Sequence, residues 1–139
     1  MNNRILITGA LGQLGKFFID SLINQGDYVL ATDIKNSNDL NCDFEIFDVH
    51  DLKKGDELIK KYKINQVYNF AAILSAKGEI NPAKTWDLNN AGFFNILDIC
   101  LKNKINKIFW PSSIAVFGKN SNLNFASIDC LLYTSDAAD

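Results

Sequence analysis

Three glycines, each three residues from the next, sit where a strand gives way to a helix, in the run Thr8-Gly9-Ala10-Leu11-Gly12-Gln13-Leu14-Gly15. Gly9 permits a tight turn out of the strand. Gly12 offers backbone without a Cβ, so a pyrophosphate can approach closely. Gly15 lets the helix pack against the sheet. The N–H groups of the first helical turn, at Gln13 and Leu14, would then face the phosphate charge. Glycines at this spacing also occur in ordinary turns, and it is the strand–turn–helix context that favours phosphate. Asp33 ends the following strand, with Ile34 beside it, where the ribose of an adenosine would lie. A carboxylate there accepts hydrogen bonds from the ribose hydroxyls and repels a 2′-phosphate, which favours NAD over NADP. Lys35 works against that choice, and a solvated loop aspartate is the plainer alternative. Asp48 and Val49 close the next strand, where an adenine could be flanked. Asp48 could equally cap the helix that follows.

The elements that must hold these residues alternate in type. Arg4 to Thr8 is a β-branched run and reads as a buried parallel strand. Leu14, Phe17, Phe18 and Leu22 recur at helical spacing up to Gly26, which stops the helix. Tyr28 to Thr32 is a second strand, and Phe44 to Phe47 a third, nearer an edge. Asp51 could cap a helix carrying Leu58, Ile59 and Tyr62. Gln66 to Phe70 is a fourth strand. Asn81-Pro82 reads as N-cap and first helical residue of a long helix burying Trp86, Phe93, Ile96, Leu97 and Cys100. Lys107 to Trp110 is a fifth strand, ended by Pro111. Strands separated by helices pair in parallel through right-handed crossovers. The expected fold is α/β, a Rossmann-type doubly wound parallel sheet in the order 3-2-1-4-5.

Composition narrows the class. A net charge of −2 and the lack of a basic stripe leave nothing to support nucleic-acid or anionic-membrane binding. The N-terminus runs directly into a strand pattern with no signal-peptide character, and no apolar run is long enough to span a bilayer. Cys42, Cys100 and Cys130 lack metal-site spacing and read as reduced thiols of a cytoplasmic protein. His50, the single histidine, reads as a surface or capping residue. Trp86 and Trp110 read as core, Phe17-Phe18 and Phe93-Phe94 as helix-packing pairs, and Lys53-Lys54 and Lys60-Lys61 as solvated faces.

Together the glycine spacing, Phe70-Ala71-Ala72 after the fourth strand, Asn89, Gly92 and Asn95 in the long helix, and Pro111-Ser112-Ser113-Ile114-Ala115-Val116-Phe117-Gly118 after the fifth resemble the extended short-chain dehydrogenase/reductase family. The resemblance implies NAD as cofactor, with Phe70, Ala71, Ala72 and Asn89 at its site. It also implies hydride transfer from a carbinol carbon, assisted by a Tyr whose pKa a nearby Lys lowers. Ser113, with Ser112 as the fallback, would be the catalytic serine that orients the substrate oxygen and stabilises its charge. By its residues alone, a serine that satisfies backbone groups at a strand end is the plainer alternative for Ser113. Leu74 to Glu79, Asn81-Pro82-Ala83, Trp86 to Asn89 and Phe109-Trp110-Pro111 resemble the threonine-dehydrogenase branch of the family, in which Ser75 would touch substrate. The implied partner is a small molecule, L-threonine or a nucleotide-sugar, and the implied assembly of the parent protein a homodimer.

The family's Tyr-x-x-x-Lys is absent: Tyr133 is followed by Ala137, and no lysine occurs after Lys119. The last ten residues, 130–139, read as a translated sequencing adapter, which would leave residues 1–129 as an incomplete NAD-binding domain. The expectation is therefore a catalytically incomplete piece of an NAD-dependent oxidoreductase. A nucleotide-sugar epimerase or dehydratase, and a non-catalytic dinucleotide sensor, are the other functions to separate from it.

Overall fold

The computed structural model of the chain describes residues 3–74 and 78–112. Ser75, Ser113 and the 130–139 tail lie outside the described residues. Five strands form one sheet, β1 (Arg4–Thr8), β2 (Tyr28–Asp33), β3 (Asp43–Ile46), β4 (Gln66–Asn69) and β5 (Lys107–Phe109). Their order is β3-β2-β1-β4-β5, and every pairing is parallel. This is the expected doubly wound sheet, with β3 at one edge.

Alternation along the inner strands sorts their side chains to two cores. Ile5 and Ile7 of β1, Val29 and Ala31 of β2, and Tyr68 of β4 face α1 (Gln13–Asn24), against Ile19 and Leu22. Leu6, Leu30 and Val67 face the opposite way. They meet Leu58 and Ile59 of α2 (Leu52–Lys61), and Ile96, Ile99 and Cys100 of the last helix. A strand covered on both faces must be apolar at consecutive positions, as β1 is.

The helix ends follow local chemistry. The Asp51 carboxylate accepts a hydrogen bond from the Lys54 N–H at 2.9 Å and caps α2. Asn81 does the same for the Lys84 N–H at 3.1 Å, with Pro82 in the first turn. Gly26, at φ +83°, takes the left-handed conformation that ends α1.

Two helix readings need correction. The long helix is three pieces: α3 (Pro82–Trp86), a π-helical segment (Asp87–Gly92), and α4 (Phe93–Lys102). The wider turns of the π segment break the 3.6-residue phase, so Trp86 does not share a face with Ile96 and Cys100 and is 71% exposed. Trp110 is not core either; it stacks on Phe93 at 4.0 Å between ring centroids and stays half exposed. Of the two phenylalanine pairs, Phe18 and Phe93 pack inward while Phe17 and Phe94 are exposed. On α1 the buried face runs through Gly15, Ile19 and Leu22, and Leu14 lies outside it.

Candidate functional site

A parallel sheet leaves a crevice at the carboxyl ends of its strands where the winding reverses, here between β1 and β4. Thr8, Gly9 and Gly12 line that crevice from the first turn, Asp33 and Ile34 from the end of β2, and Phe70, Ala71 and Ala72 from the end of β4. Phe47, Val49 and Leu88 complete its apolar lining. The described residues enclose about 180 Å³. Whole small-ligand pockets span roughly 300–1,000 Å³, so this part suits one end of a dinucleotide.

The glycines do distinct things. Gly9 sits at φ +63°, and a Cβ there would lie 2.7 Å from the Phe70 carbonyl and the Ala71 nitrogen. The turn therefore lies directly against the β4 wall. At Gly15 a Cβ would come within 2.5 Å of the Ala10 carbonyl oxygen, so this glycine packs the helix onto the turn itself. Gly12 is the N-cap of α1, in extended backbone at φ −73° and ψ 173°, with no side-chain cap and no acid in the first turn. The N–H groups at Gln13 and Leu14 thus begin a helix whose first turn carries no acidic side chain, which suits a pyrophosphate.

Asp33 is held in place. One carboxylate oxygen accepts from the Leu11 N–H at 3.1 Å and the other from the Lys35 N–H at 3.2 Å. This fixes the anion at the junction of the glycine turn and the crevice while leaving it half-exposed to a ligand. Ile34 next to it is exposed on the rim.

Asn89 lies one residue beyond the cleft-lining Leu88. Its amide oxygen accepts from the Ile73 N–H at 2.8 Å, and its amide nitrogen donates to the Ile73 carbonyl at 2.9 Å. Asn89 therefore anchors the segment that continues from Phe70–Ala72. Asp48 is not the cap of α2, which is Asp51. The Asp48 carboxylate accepts from the His50 N–H at 2.9 Å, and its neighbours Phe47 and Val49 form the wall.

Sequence reasoning missed Thr8, Phe47, Leu88 and the setting of His50. The Thr8 hydroxyl, 1% exposed, donates to the Asn69 side-chain oxygen and accepts from the Ala71 N–H at 3.3 Å. It couples the glycine turn to the β4 wall. A polar residue ending an apolar buried strand must find such partners, and that was the available signal. His50 is a surface residue as read, but its ring contacts Asp48 and Asp87 at once.

A crevice at the reversal point, a helix N-terminus without an acid in its first turn and a tethered carboxylate are the features a dinucleotide would need. The profile of the NAD-dependent epimerase/dehydratase family matches residues 5–133. The chain belongs to this family. An uncharacterized epimerase/dehydratase of Staphylococcus saprophyticus is 40% identical over 124 residues, covering 85% of this chain and 38% of the relative. A monomeric L-threonine 3-dehydrogenase from a metagenome shares 41% identity with a TM-score of 0.78, over 84% of this chain and 38% of its own. The L-threonine dehydrogenase of Clostridium difficile shares 38% with a TM-score of 0.83, over 94% of this chain and 42% of its own. The chain thus spans about 38% of the length of the curated relatives it matches, and the family assignment carries NAD with it at that level.

Proposed function

We propose that the protein to which this chain corresponds oxidises L-threonine at its hydroxyl-bearing carbon, with residues 1–129 providing the NAD-binding part. The observation that carries the cofactor half is the Asp33 carboxylate, fixed by the Leu11 N–H at 3.1 Å beside a Gly12 that presents bare backbone. That donor set fits NAD: helix N–H groups for the pyrophosphate, a carboxylate for the ribose hydroxyls, and an apolar lining at Phe47, Val49 and Leu88 for the base. NAD, when bound, supplies the hydride acceptor. The chain's residues neutralise the pyrophosphate charge, orient the ribose through Asp33 and exclude water along Phe70–Ala72. Ser113 is the residue expected to orient the substrate oxygen, and Ser75 to touch substrate.

The threonine half is supported by the two threonine dehydrogenases at 41% and 38% identity. The name of the Staphylococcus relative supports a second reading, epimerisation or dehydration of a nucleotide-sugar on the same cofactor site. The proposal includes a cytoplasmic setting, with which the free thiols of Cys42 and Cys100 are compatible.

The deciding experiment is L-threonine-dependent NAD reduction by the protein at the length of its relatives, with UDP-glucose as the competing substrate. Turnover of threonine alone is expected, and turnover of the sugar nucleotide alone would replace threonine with the second reading. The chain as it stands, with no lysine after Lys119, is expected to bind NAD without oxidising threonine. General acid–base groups contribute about a hundred- to ten-thousand-fold. An ordinary rate from this chain would overturn that expectation.

A further inference from the structure

His50 bridges the two segments that carry part of the cleft's apolar lining. Phe47 and Val49, on its own loop, form one wall. Leu88, next to Asp87 in the π-helical segment, forms the other. The His50 Nδ1 lies 2.8 Å from the Asp48 carboxylate, and its Nε2 lies 3.2 Å from that of Asp87. The two segments also pack together near the ring, with Val49 in a core cluster against which Leu88 lies. A Cβ on Gly92 would stand 2.7 Å from Val49 Cγ2 and 3.8 Å from His50 Cε1. We propose that His50 is a protonation-dependent staple across this cleft, which holds the two walls together and tightens coenzyme binding when the imidazole is charged. The proposal rests on the NAD reading above and concerns how that site is regulated.

The chemistry of the ring sets the direction. An imidazolium donates from both nitrogens and can serve both carboxylates, whereas a neutral imidazole has one N–H and presents a lone pair to the other. The backbone N–H of His50 holds Asp48 at 2.9 Å in either state. The contact that opens on deprotonation is therefore the one to Asp87, which joins the two walls. The charged groups facing the ring are Asp48 from its own loop and Asp87 from the π-helical segment, both anionic. Their contacts raise the pKa of His50 above its ordinary 6.5, with the hydrogen bond to Asp48 the largest cause. The staple is thus complete below that ordinary value and is lost as pH rises through the folded one.

The test is calorimetric titration of the full chain with NAD⁺ at about pH 6 and about pH 8.5, a range that brackets a raised histidine pKa. NAD⁺ has no group of its own that titrates in this interval. His50 is the sole histidine, and both Cys42 and Cys100 are pushed upward. Cys130 and the α-amino group can also titrate in this range, and the variant His50→Gln separates them. Binding about two- to fivefold tighter at the lower pH is expected, the scale of exposed ion pairs. His50→Gln should remove the pH dependence. Asp87→Asn, which keeps the imidazole, should lower the affinity at about pH 6 to the level the unaltered chain has at about pH 8.5. Equal affinity at the two pH values, or an unchanged dependence in His50→Gln, overturns the staple while leaving the cofactor reading intact. Absence of NAD⁺ binding at both pH values overturns the cofactor reading, and the staple with it.

Discussion

The backbone N–H of Leu11 donates to the carboxylate of Asp33 at 3.1 Å, joining the turn after β1 to the end of β2. The two strand ends that would grip opposite ends of an adenosine diphosphate moiety are thereby one rigid unit. Replacing Asp33 by Ala should weaken NAD binding by about ten- to hundredfold, the range for hydrogen bonds to a charged group. NADP binding should weaken less or improve, since the repulsion of a 2′-phosphate goes with the carboxylate. Parallel titrations with both nucleotides check this, and unchanged NAD affinity would remove Asp33 from the site.

Gly9 and Gly12 should fail in different ways. Gly9→Ala forces a side chain into left-handed backbone and against Phe70 and Ala71 at 2.7 Å, so it should cost about 2 kcal/mol or more of stability. Among the described residues a Cβ on Gly12 meets only the Gly9 carbonyl oxygen at 3.2 Å, in backbone that any residue adopts. Gly12→Ala should keep the urea midpoint within about 1 kcal/mol of the parent and lose NAD affinity. Equal unfolding of both variants would contradict this division.

Thr8→Val removes the hydroxyl that serves both Asn69 and Ala71. Buried groups left without a partner cost about 1–3 kcal/mol. Thr8→Ser, which keeps the hydroxyl, should retain most of the lost stability. Denaturant midpoints of the two variants decide between hydroxyl and methyl as the cause.

Acid should loosen the surface of α2. Glu45 is held below the usual carboxylate range first by the hydrogen bond from Lys61 and then by that from Tyr62. Asp56 is held lower still by Lys60, with Asn103 and Lys102 assisting. Depressed carboxylates stabilise above their unfolded pKa, and that contribution disappears as pH falls through the folded one. Asp56→Asn should therefore flatten the fall in urea midpoint below about pH 4. An unchanged acid slope would mean that Asp56 pairs equally well in the unfolded chain.

Burial pushes the Cys100 thiol up to about 12, and the side chain is 3% exposed among core residues. Cys100 should resist thiol reagents in the native chain and react only on unfolding, as mass spectrometry after timed labelling would show. Rapid labelling under native conditions would mean that α4 opens readily.

The strands, the glycine turn and the place of Asp33 are legible because each depends on residues close in sequence: an apolar run, a spacing of three, a carboxylate at a strand end; strand order follows from the alternation of strands with helices. What failed depends on shape. The packing role of Gly15 is legible in its spacing, but the hydrophobic pattern puts Leu14 and Phe17 on the buried face, which instead runs through Gly15, Ile19 and Leu22. Trp86 was assigned to the core by carrying one helical phase through a segment that changes it. The His50–Asp87 contact joins a loop to a helix and leaves no local pattern. Thr8 could have been found by asking what partners a buried hydroxyl must have.

Strand β1 has a consequence for synthesis. Its two neighbours are β2, at residues 28 to 32, and β4, at residues 66 to 69. A chain emerging from the ribosome can pair β1 on one side early, but the second side stays open until residue 69 has left the exit tunnel. During that interval Ile5, Leu6 and Ile7, nearly inaccessible in the finished fold, flank an unpaired edge that another nascent chain could join. The vulnerable period in the life of this protein is therefore set by the distance along the chain from β1 to β4, and it closes when the last inner strand arrives.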